Sequence, residues 1–157
     1  MQKIITFLTF NNQAEEAVNL YTSIFKNSKI IRTSYYGEAM PELAGTFMTA
    51  DFELDGQQFC ALNAGPHFTF SLGISLFVNC NTQDEIDELW EKLSEGGHKD
   101  QCGWLQDKFG VSWQIVPSTL GDMIGDKDAV KAKRVMEAML KMTKLDIKAL
   151  TDAYNGI

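Results

Sequence analysis

The chain has 157 residues, 45% of them hydrophobic and 22% charged, so we expect an ordinary globular fold and not a disordered chain. Its formal net charge of −7 argues against a nucleic-acid partner, because such partners bind clustered lysines and arginines. No apolar run approaches the roughly 18 residues of a membrane span, and the N-terminal pattern does not fit a secretory signal. Three cysteines without a CxxC motif indicate reduced thiols, so we expect a cytoplasmic protein.

The first half of the sequence predicts a strand, a helix and three further strands. Residues 4–10 alternate and are rich in strand-forming side chains. Asn12, followed three residues later by Glu15, predicts a helix start, and residues 17–24 carry apolar side chains on one helical face. Strand patterns follow at 29–36, 46–54 and 57–63.

The dipeptide Asp55-Gly56 predicts a two-residue turn, which fixes the register of the hairpin and places Phe52 opposite Phe59. One face of this hairpin should pack on the helices; it comprises Met48, Ala50, Phe52, Leu54, Phe59 and Ala61. The opposite face is mixed, as ligand-lining surfaces tend to be; it comprises Phe47, Thr49, Asp51, Glu53, Gln58, Cys60 and Leu62.

The pattern of strand, cap and helix face then returns 69 residues later, so that Trp90 on the second helix corresponds to Tyr21 on the first. Residues 74–80 read as a strand, and Thr82 with Glu85 forms a capping box before the second helix. A second hairpin is predicted from 104–107 and 112–116, which flank Phe109-Gly110 as the counterpart of the first turn. The match of three successive features indicates a duplicated β-α-β-β-β module.

Residues 118–157 are predicted to be helical and lie outside the repeat. We therefore interpret 1–157 as a single domain, with module one at about 1–66, module two at about 71–117 and a helical tail. The tail carries a methionine-rich apolar stripe, which would serve either as core packing or as a cover for the sheet or a partner subunit.

These segments resemble the PhnB-like branch of the glyoxalase, bleomycin-resistance and dioxygenase superfamily, which has the vicinal-oxygen-chelate fold. The resembling stretches are ITFLTFNNQAEEAVNLYTSIF, GPHFTFS, LWEKLSEGG, GWLQDKFGVSWQIVP and RVMEAMLKMTKLDIKAL. The resemblance implies an α+β fold, with paired β-α-β-β-β modules forming a curved mixed sheet around a cleft, C-terminal helices, and a homodimer. Members of this branch often carry a 3-demethylubiquinone-9 3-methyltransferase label.

The superfamily's metal enzymes place His, Gln or Glu on the first and last strand of each module. Counting back fifteen residues from the helix aromatics reaches Thr6 and Ser75, and the last-strand positions are Cys60 and Gln114. Divalent ions prefer imidazole, carboxylate or thiolate ligands, so two hydroxyls, an amide and one thiol make a poor cage. We therefore predict no metal and no other cofactor, and the sequence contains no glycine-rich motif for a nucleotide-like methyl donor.

The candidate cleft residues are Thr6, Phe47, Asp51, Cys60, Ser75, Asp107 and Gln114. Asp51 and Glu53 share the cleft face of one strand, and the repeat places Asp107 opposite; these carboxylates would either do acid–base work or simply face solvent. Cys60 would be a nucleophile only with a basic neighbour, and otherwise a buried inert thiol. His67 reads as a surface or capping residue or, alternatively, as a proton carrier at the mouth of the cleft.

The sequence supports three hypotheses about function. The first is a PhnB-like protein that binds a small, partly apolar molecule in the cleft without the superfamily's metal ligands. The second is an enzyme, either a metal-dependent lyase or dioxygenase or the methyltransferase that the label implies. The third is a dimeric interaction scaffold that uses the methionine-rich tail.

Overall fold

The computed structural model describes residues 2–157, which form two compact units divided between Thr69 and Phe70. Each unit contains a four-stranded mixed sheet with a helix packed against it, and the second also contains three C-terminal helices. This arrangement confirms the predicted α+β class with two β-α-β-β-β modules and a helical tail. None of the helices within residues 2–157 is long and apolar enough to cross a membrane.

The first unit has the order strand, helix, strand, strand, strand. Its elements are β1 (Thr6–Phe10), α1 (Ala14–Ile24), β2 (Lys29–Tyr35), β3 (Phe47–Leu54) and β4 (Gln57–Asn63). The strands lie side by side in the order β1-β4-β3-β2, with β1 parallel to β4 and the other pairs antiparallel. The helix returns the chain across the sheet, as a parallel pair of strands requires.

The predicted register of the first hairpin is confirmed, since Phe52 pairs with Phe59. Asp55 and Gly56 have φ values of 45° and 80°, as a two-residue turn with two left-handed residues demands. The predicted apolar face packs under α1, and its rings Phe52 and Phe59 stack at 5.4 Å. Met48 is the exception: it is only half-buried, because β3 bulges there against β2.

The predicted capping role of Asn12 is wrong. The helix begins at Ala14 after Gln13, which makes no side-chain capping bond. Asn63 at the end of β4 supplies the cap instead, because its Oδ1 accepts a hydrogen bond from the Ala14 backbone N–H at 2.8 Å. A residue 49 positions away in sequence therefore caps the N-terminus of α1 and ties it to the sheet.

The second unit repeats the module and then adds the tail. Its elements are β5 (Leu76–Cys80), α2 (Gln83–Ser94), β6 (His98–Lys99), β7 (Trp104–Gln106), β8 (Ser112–Pro117), α3 (Leu120–Ile124), α4 (Ala129–Met139) and α5 (Ile147–Asn155). The strand order is β5-β8-β7-β6, with β5 parallel to β8. The capping role of Thr82 is confirmed, because the Glu85 N–H donates to Thr82 Oγ1 at 3.2 Å; the Glu85 carboxylate accepts from the Asn81 N–H at 2.8 Å, one residue before the position of a capping box.

The second hairpin differs from its predicted form. Its connection spans residues 107–111, so Phe109-Gly110 is not a two-residue turn like that of the first unit. The Asp107 and Val111 backbones close this loop with an N–H···O bond of 3.0 Å. Trp113 and Ile115 are nevertheless buried, as their equivalence to Phe59 and Ala61 predicts.

The tail helices pack into the second unit. Their core is a cluster of Val116, Leu120, Val135, Leu145 and Leu150, with Met123, Met139 and Met142 packed against it. Two side chains of α2 hold the segment between α4 and α5: Gln83 bonds the backbone of Leu145 and Ile147, and Asp87 pairs with Lys144 at 2.6 Å. Three methionines of the tail region therefore serve the core of this unit.

Candidate functional site

The face of the first sheet that α1 leaves uncovered carries a mixture of polar and apolar side chains. Residues paired across neighbouring strands share a face, so the strand register identifies them. We call this surface the open face of the first sheet; it comprises Phe7, Thr9, Arg32, Ser34, Thr49, Asp51, Glu53, Gln58, Cys60 and Leu62. The predicted mixed face of the hairpin is its centre.

One cross-strand row of this open face joins four side chains in the order Arg32, Asp51, Cys60, Phe7. Both Nε and a terminal nitrogen of Arg32 donate to Asp51 Oδ2, at 3.1 and 2.5 Å. Phe7, next to Cys60, is 55% exposed, which is unusual for a phenylalanine. The row thus ends in an uncovered aromatic ring.

The remaining charges on this open face cancel in the same way. Lys29, at the edge of β2, pairs with Glu53 at 3.0 Å. Ser34 and Thr49 share a hydroxyl–hydroxyl bond of 2.5 Å. The surface therefore presents hydrogen-bonding groups and an aromatic ring without net charge.

The thiol of Cys60 is held in its protonated form. Burial, a hydrogen bond to Asp51 and the negative charge of Asp51 raise the pKa of Cys60 to about 11, against a smaller lowering effect of Arg32. A nucleophilic cysteine needs the opposite environment, in which cationic neighbours stabilise the thiolate. Of the two alternatives from the sequence, the geometry supports the inert thiol.

The expected placement of Thr6 beside Cys60 is wrong by one residue. Thr6 pairs with Phe59, whereas Phe7 pairs with Cys60. Thr6 therefore lies on the side of the sheet that α1 covers, and the position that was assigned to a metal ligand holds a phenyl ring. The sequence signal that could have located Phe7 is the parity of β1, where Leu8 and Phe10 are the buried residues.

The second sheet also has an open face, on the side away from α2. It comprises Ser75, Phe77, Asn79, Trp104, Gln106, Ser112 and Gln114. Gln114 Nε2 donates to Ser75 Oγ at 2.8 Å, although the residue that pairs with Gln114 on β5 is Phe77 and not Ser75. This set contains no Asp, Glu, Lys or Arg, so the open face of the second sheet is uncharged along β5, β7 and β8.

Asp107 does not belong to either open face, contrary to the prediction. Its Oδ1 accepts from the backbone N–H groups of Phe109 and Val111, at 2.9 and 3.0 Å, and its Oδ2 from Trp113 Nε1 at 2.9 Å. The residue is only 3% exposed, and Trp113 lies on the helix-packed side of β8. A carboxylate that is buried and engaged by these three donors fixes the loop and is out of reach of a ligand on either open face.

The other candidates lie apart from these rows. Phe47 is buried and packs edge-on against Tyr35, with ring centroids 5.9 Å apart. His67 is exposed in the loop after β4; His98 is exposed in β6, where it pairs with Gln106 and so shares the open face of the second sheet. The structure brings Asp51 to Cys60 and Ser75 to Gln114, and it places neither histidine among them.

The donor chemistry of these positions does not fit a divalent metal. The first unit pairs Phe7 with Cys60, and the second pairs Phe77 with Gln114, to which Ser75 is bonded; neither group offers an imidazole or a carboxylate. Within residues 2–157, no three His, Cys, Asp or Glu side chains are grouped so as to hold an ion. The strand-to-helix connections at 11–13 and 81–82 contain no glycine, so they do not form the turn that binds a nucleotide-like cofactor.

Comparison with known proteins identifies a matching family and a related solved structure. A family model described as 3-demethylubiquinone-9 3-methyltransferase matches residues 2–116, whereas no curated protein matches. A putative 3-demethylubiquinone-9 3-methyltransferase, PhnB protein, from Bacillus cereus is 42% identical and covers 74% of this chain and 99% of its own, with a TM-score of 0.69.

More distant solved structures share the fold alone. Protein PA1353 from Pseudomonas aeruginosa is 23% identical, covers 72% of this chain and 95% of its own, and has a TM-score of 0.61. A fosfomycin resistance protein, FosX, from Listeria monocytogenes is 16% identical, covers 77% of this chain and 94% of its own, and has a TM-score of 0.55. The chain therefore belongs to the family described as 3-demethylubiquinone-9 3-methyltransferase, the PhnB-like branch of the glyoxalase and bleomycin-resistance superfamily.

Proposed function

We propose that this PhnB-like protein binds a small, neutral, partly aromatic molecule on its open faces and does so without a divalent metal. The observation that carries the proposal is the same in both units. Each presents an exposed phenylalanine, Phe7 or Phe77, beside an uncharged polar side chain of the last strand, Cys60 or Gln114. Exposed rings next to convergent hydrogen-bonding groups are typical of small-molecule sites.

Charge supports a neutral ligand over an ionic one. On the open face of the first sheet the charges are already paired, as for Arg32 with Asp51. The open face of the second sheet has no charged side chain along its three longer strands. A charged ligand would lose hydration there without gaining a counter-charge.

A thermal-shift screen tests this proposal. We expect neutral aromatic compounds with hydroxyl or carbonyl groups, including short-chain demethylubiquinone analogues and salicylamide, to raise the Tm of the full chain. The rise should shrink in Phe7→Ser or Phe77→Ser and persist in Val130→Ser, which removes an equally exposed side chain from α4. If no compound raises the Tm, or if all three variants respond alike, the proposal is wrong.

The second candidate is an enzyme, supported by the match of residues 2–116 to a family model that carries a methyltransferase label. It would be either that methyltransferase or a metal-dependent lyase or dioxygenase. Two measurements discriminate: elemental analysis after dialysis against Mn²⁺ and Zn²⁺, and calorimetric titration with S-adenosylmethionine. One ion retained per chain and lost in Gln114→Ala, or saturable binding of the methyl donor, would favour this candidate.

We also propose that the protein is a cytoplasmic homodimer. Support comes from edge strand β2, which exposes Ile30 and Ile31, and from Cys60, Cys80 and Cys102, all of which are free thiols. Light scattering should give twice the mass of the chain, and Ile31→Asp should reduce it. The third candidate, a scaffold that binds through the tail, would instead predict that loss of residues after Pro117 abolishes partner capture while the dimer persists.

A further inference from the structure

The second sheet contains a row of side chains in which an amide lies between two exposed aromatic rings. Gln114 on β8 pairs with Phe77 on β5 at one side and with Trp104 on β7 at the other. Phe77 is 53% exposed and Trp104 36% exposed, whereas the other tryptophans, Trp90 and Trp113, are buried. Both rings therefore stand at the surface on the same face of the sheet.

The spacing of this row suits one flat ring. Neighbouring strands lie about 4.8 Å apart, so Phe77 and Trp104, with Gln114 between them, have Cα atoms about 10 Å apart. A planar ring stacked at about 3.5 Å from each wall needs about 7 Å between the walls. Two aromatic rings projecting from these strands are therefore far enough apart to admit one aromatic ring between them.

The floor of the row offers one acceptor and one donor. Gln114 Nε2 donates to Ser75 Oγ at 2.8 Å, which leaves Gln114 Oε1 free to accept. Since Ser75 Oγ receives that bond, its own O–H is free to donate. A ligand edge that carries a donor next to an acceptor would satisfy both groups.

A buried hydroxyl group lies beside this floor. Ser112, two residues before Gln114 and on the same face of β8, is only 2% exposed, and its Oγ makes no hydrogen bond within residues 2–157. A buried hydroxyl without a partner is costly, so a local shift that opened Ser112 Oγ to the polar edge of a ligand would relieve that cost.

We infer that Phe77, Gln114 and Trp104 form a clamp for a neutral planar aromatic or heteroaromatic group whose edge carries a donor beside an acceptor, such as an ortho-hydroxy carbonyl or a lactam. This inference rests on the proposed function and names the ligand class and the residues that select it. Trp104 and Phe77 select planarity, and Gln114 with Ser75 selects the polar edge.

The test uses salicylamide as the probe and 2-hydroxycyclohexanecarboxamide as its non-planar counterpart with the same polar groups. In two-dimensional ¹H–¹⁵N spectra of the full chain, each tryptophan gives one indole N–H resonance, and the Trp104→Leu variant identifies that of Trp104. We expect salicylamide to shift the Trp104 resonance saturably and to leave the buried Trp90 and Trp113 unchanged. The cyclohexane compound should bind at least about tenfold more weakly, because it cannot stack.

Matched variants complete the design. Trp104→Leu and Gln114→Ala should each weaken salicylamide by about tenfold, Trp104→Phe should restore most of the affinity, and Phe68→Leu, at an exposed ring outside the row, should change nothing. Suppose that salicylamide or another compound of the thermal-shift screen raises the Tm. If the Trp104 indole resonance then does not shift and Trp104→Leu binds that compound as the wild type does, the clamp is refuted and the proposed function stands. If no compound of the screen raises the Tm, the proposed function fails and the clamp fails with it.

Discussion

The carboxylates predicted for the cleft have two different roles: one holds a loop, and the other faces solvent on an open face. Asp107 has the first role, although its place in the sequence suggested the second. Sequence parity cannot distinguish the two roles, because the position of a carboxylate in a loop depends on where the loop's N–H groups point. Asp107 is bonded by Phe109, Val111 and Trp113, so its function is structural.

The first prediction concerns this loop. Asp107→Ala removes the acceptor of three hydrogen bonds, and we expect it to lower the free energy of unfolding by about 3 kcal/mol in urea denaturation. Asp107→Asn keeps an oxygen for the backbone donors but turns an NH₂ group toward the Trp113 indole, so it should cost less than the alanine variant. Equal and negligible effects of the two variants would contradict the assignment.

The second prediction concerns the thiol of Cys60. With its pKa at about 11, roughly one thiol in a thousand is ionised at pH 8, so iodoacetamide should label it slowly, and labelling should accelerate as the pH rises toward 11. Asp51→Asn removes the negative charge that raises the pKa of Cys60 and leaves the lowering effect of Arg32. Labelling at pH 8, followed by peptide-resolved mass spectrometry, should therefore become faster.

Glu53→Gln is the control for this experiment, because Glu53 lies on the same face of β3 but pairs with Lys29. It should leave the labelling rate of Cys60 close to that of the wild type. A rate in Asp51→Asn no higher than in this control would show that burial alone, and not Asp51, sets the reactivity of the thiol.

At the scale of elements, hydrophobic alternation was sufficient to predict most strands, and the Asp55-Gly56 turn was sufficient to predict the first hairpin's register. Counting back from the helices misplaces Thr6, because the helices are 69 residues apart at Tyr21 and Trp90. The strands are 70 apart, since Thr6 and Leu76 occupy equivalent register positions. The connection before α1 is one residue longer than that before α2, and periodicity carries no information on loop length.

The third prediction tests the cap of α1. Asn63→Ala leaves the buried Ala14 N–H without its acceptor and removes the 3.2 Å bond from Asn63 to the Phe47 carbonyl. We expect a loss of about 2 kcal/mol in unfolding free energy. Asn12→Ala, at the cap position that the sequence suggested, should change stability by less than about 0.5 kcal/mol; the reverse ranking would restore the sequence-based assignment.

At the scale of the whole molecule, the repeat predicts the duplication of the module but not the attachment of the tail. Apolar stripes in residues 118–157 predicted helices but not their docking partner. That partner depends on Gln83 and Asp87, polar side chains of α2 that reach the tail across more than fifty positions of sequence. Contacts at such separation leave no periodic signal.

The fourth prediction tests this attachment. Gln83→Ala removes both bonds to the segment before α5, so backbone amides of α5 should exchange with deuterium about tenfold faster while those of β8 remain protected. Gln101→Ala, at an exposed glutamine of the same unit, is the control. Uniformly faster exchange through β8 would mean that Gln83 supports the whole unit and not the tail.

The absence of charge along the longer strands of the second sheet has a consequence for the salt dependence of ligand affinity. The chain as a whole carries −7, so an anionic ligand would meet a repulsive field that added salt weakens, and its binding would tighten as ionic strength increases. A neutral ligand has no such long-range interaction. Its dissociation constant should stay the same between 20 mM and 500 mM NaCl, concentrations at which the Debye length falls from roughly 20 Å to roughly 4 Å.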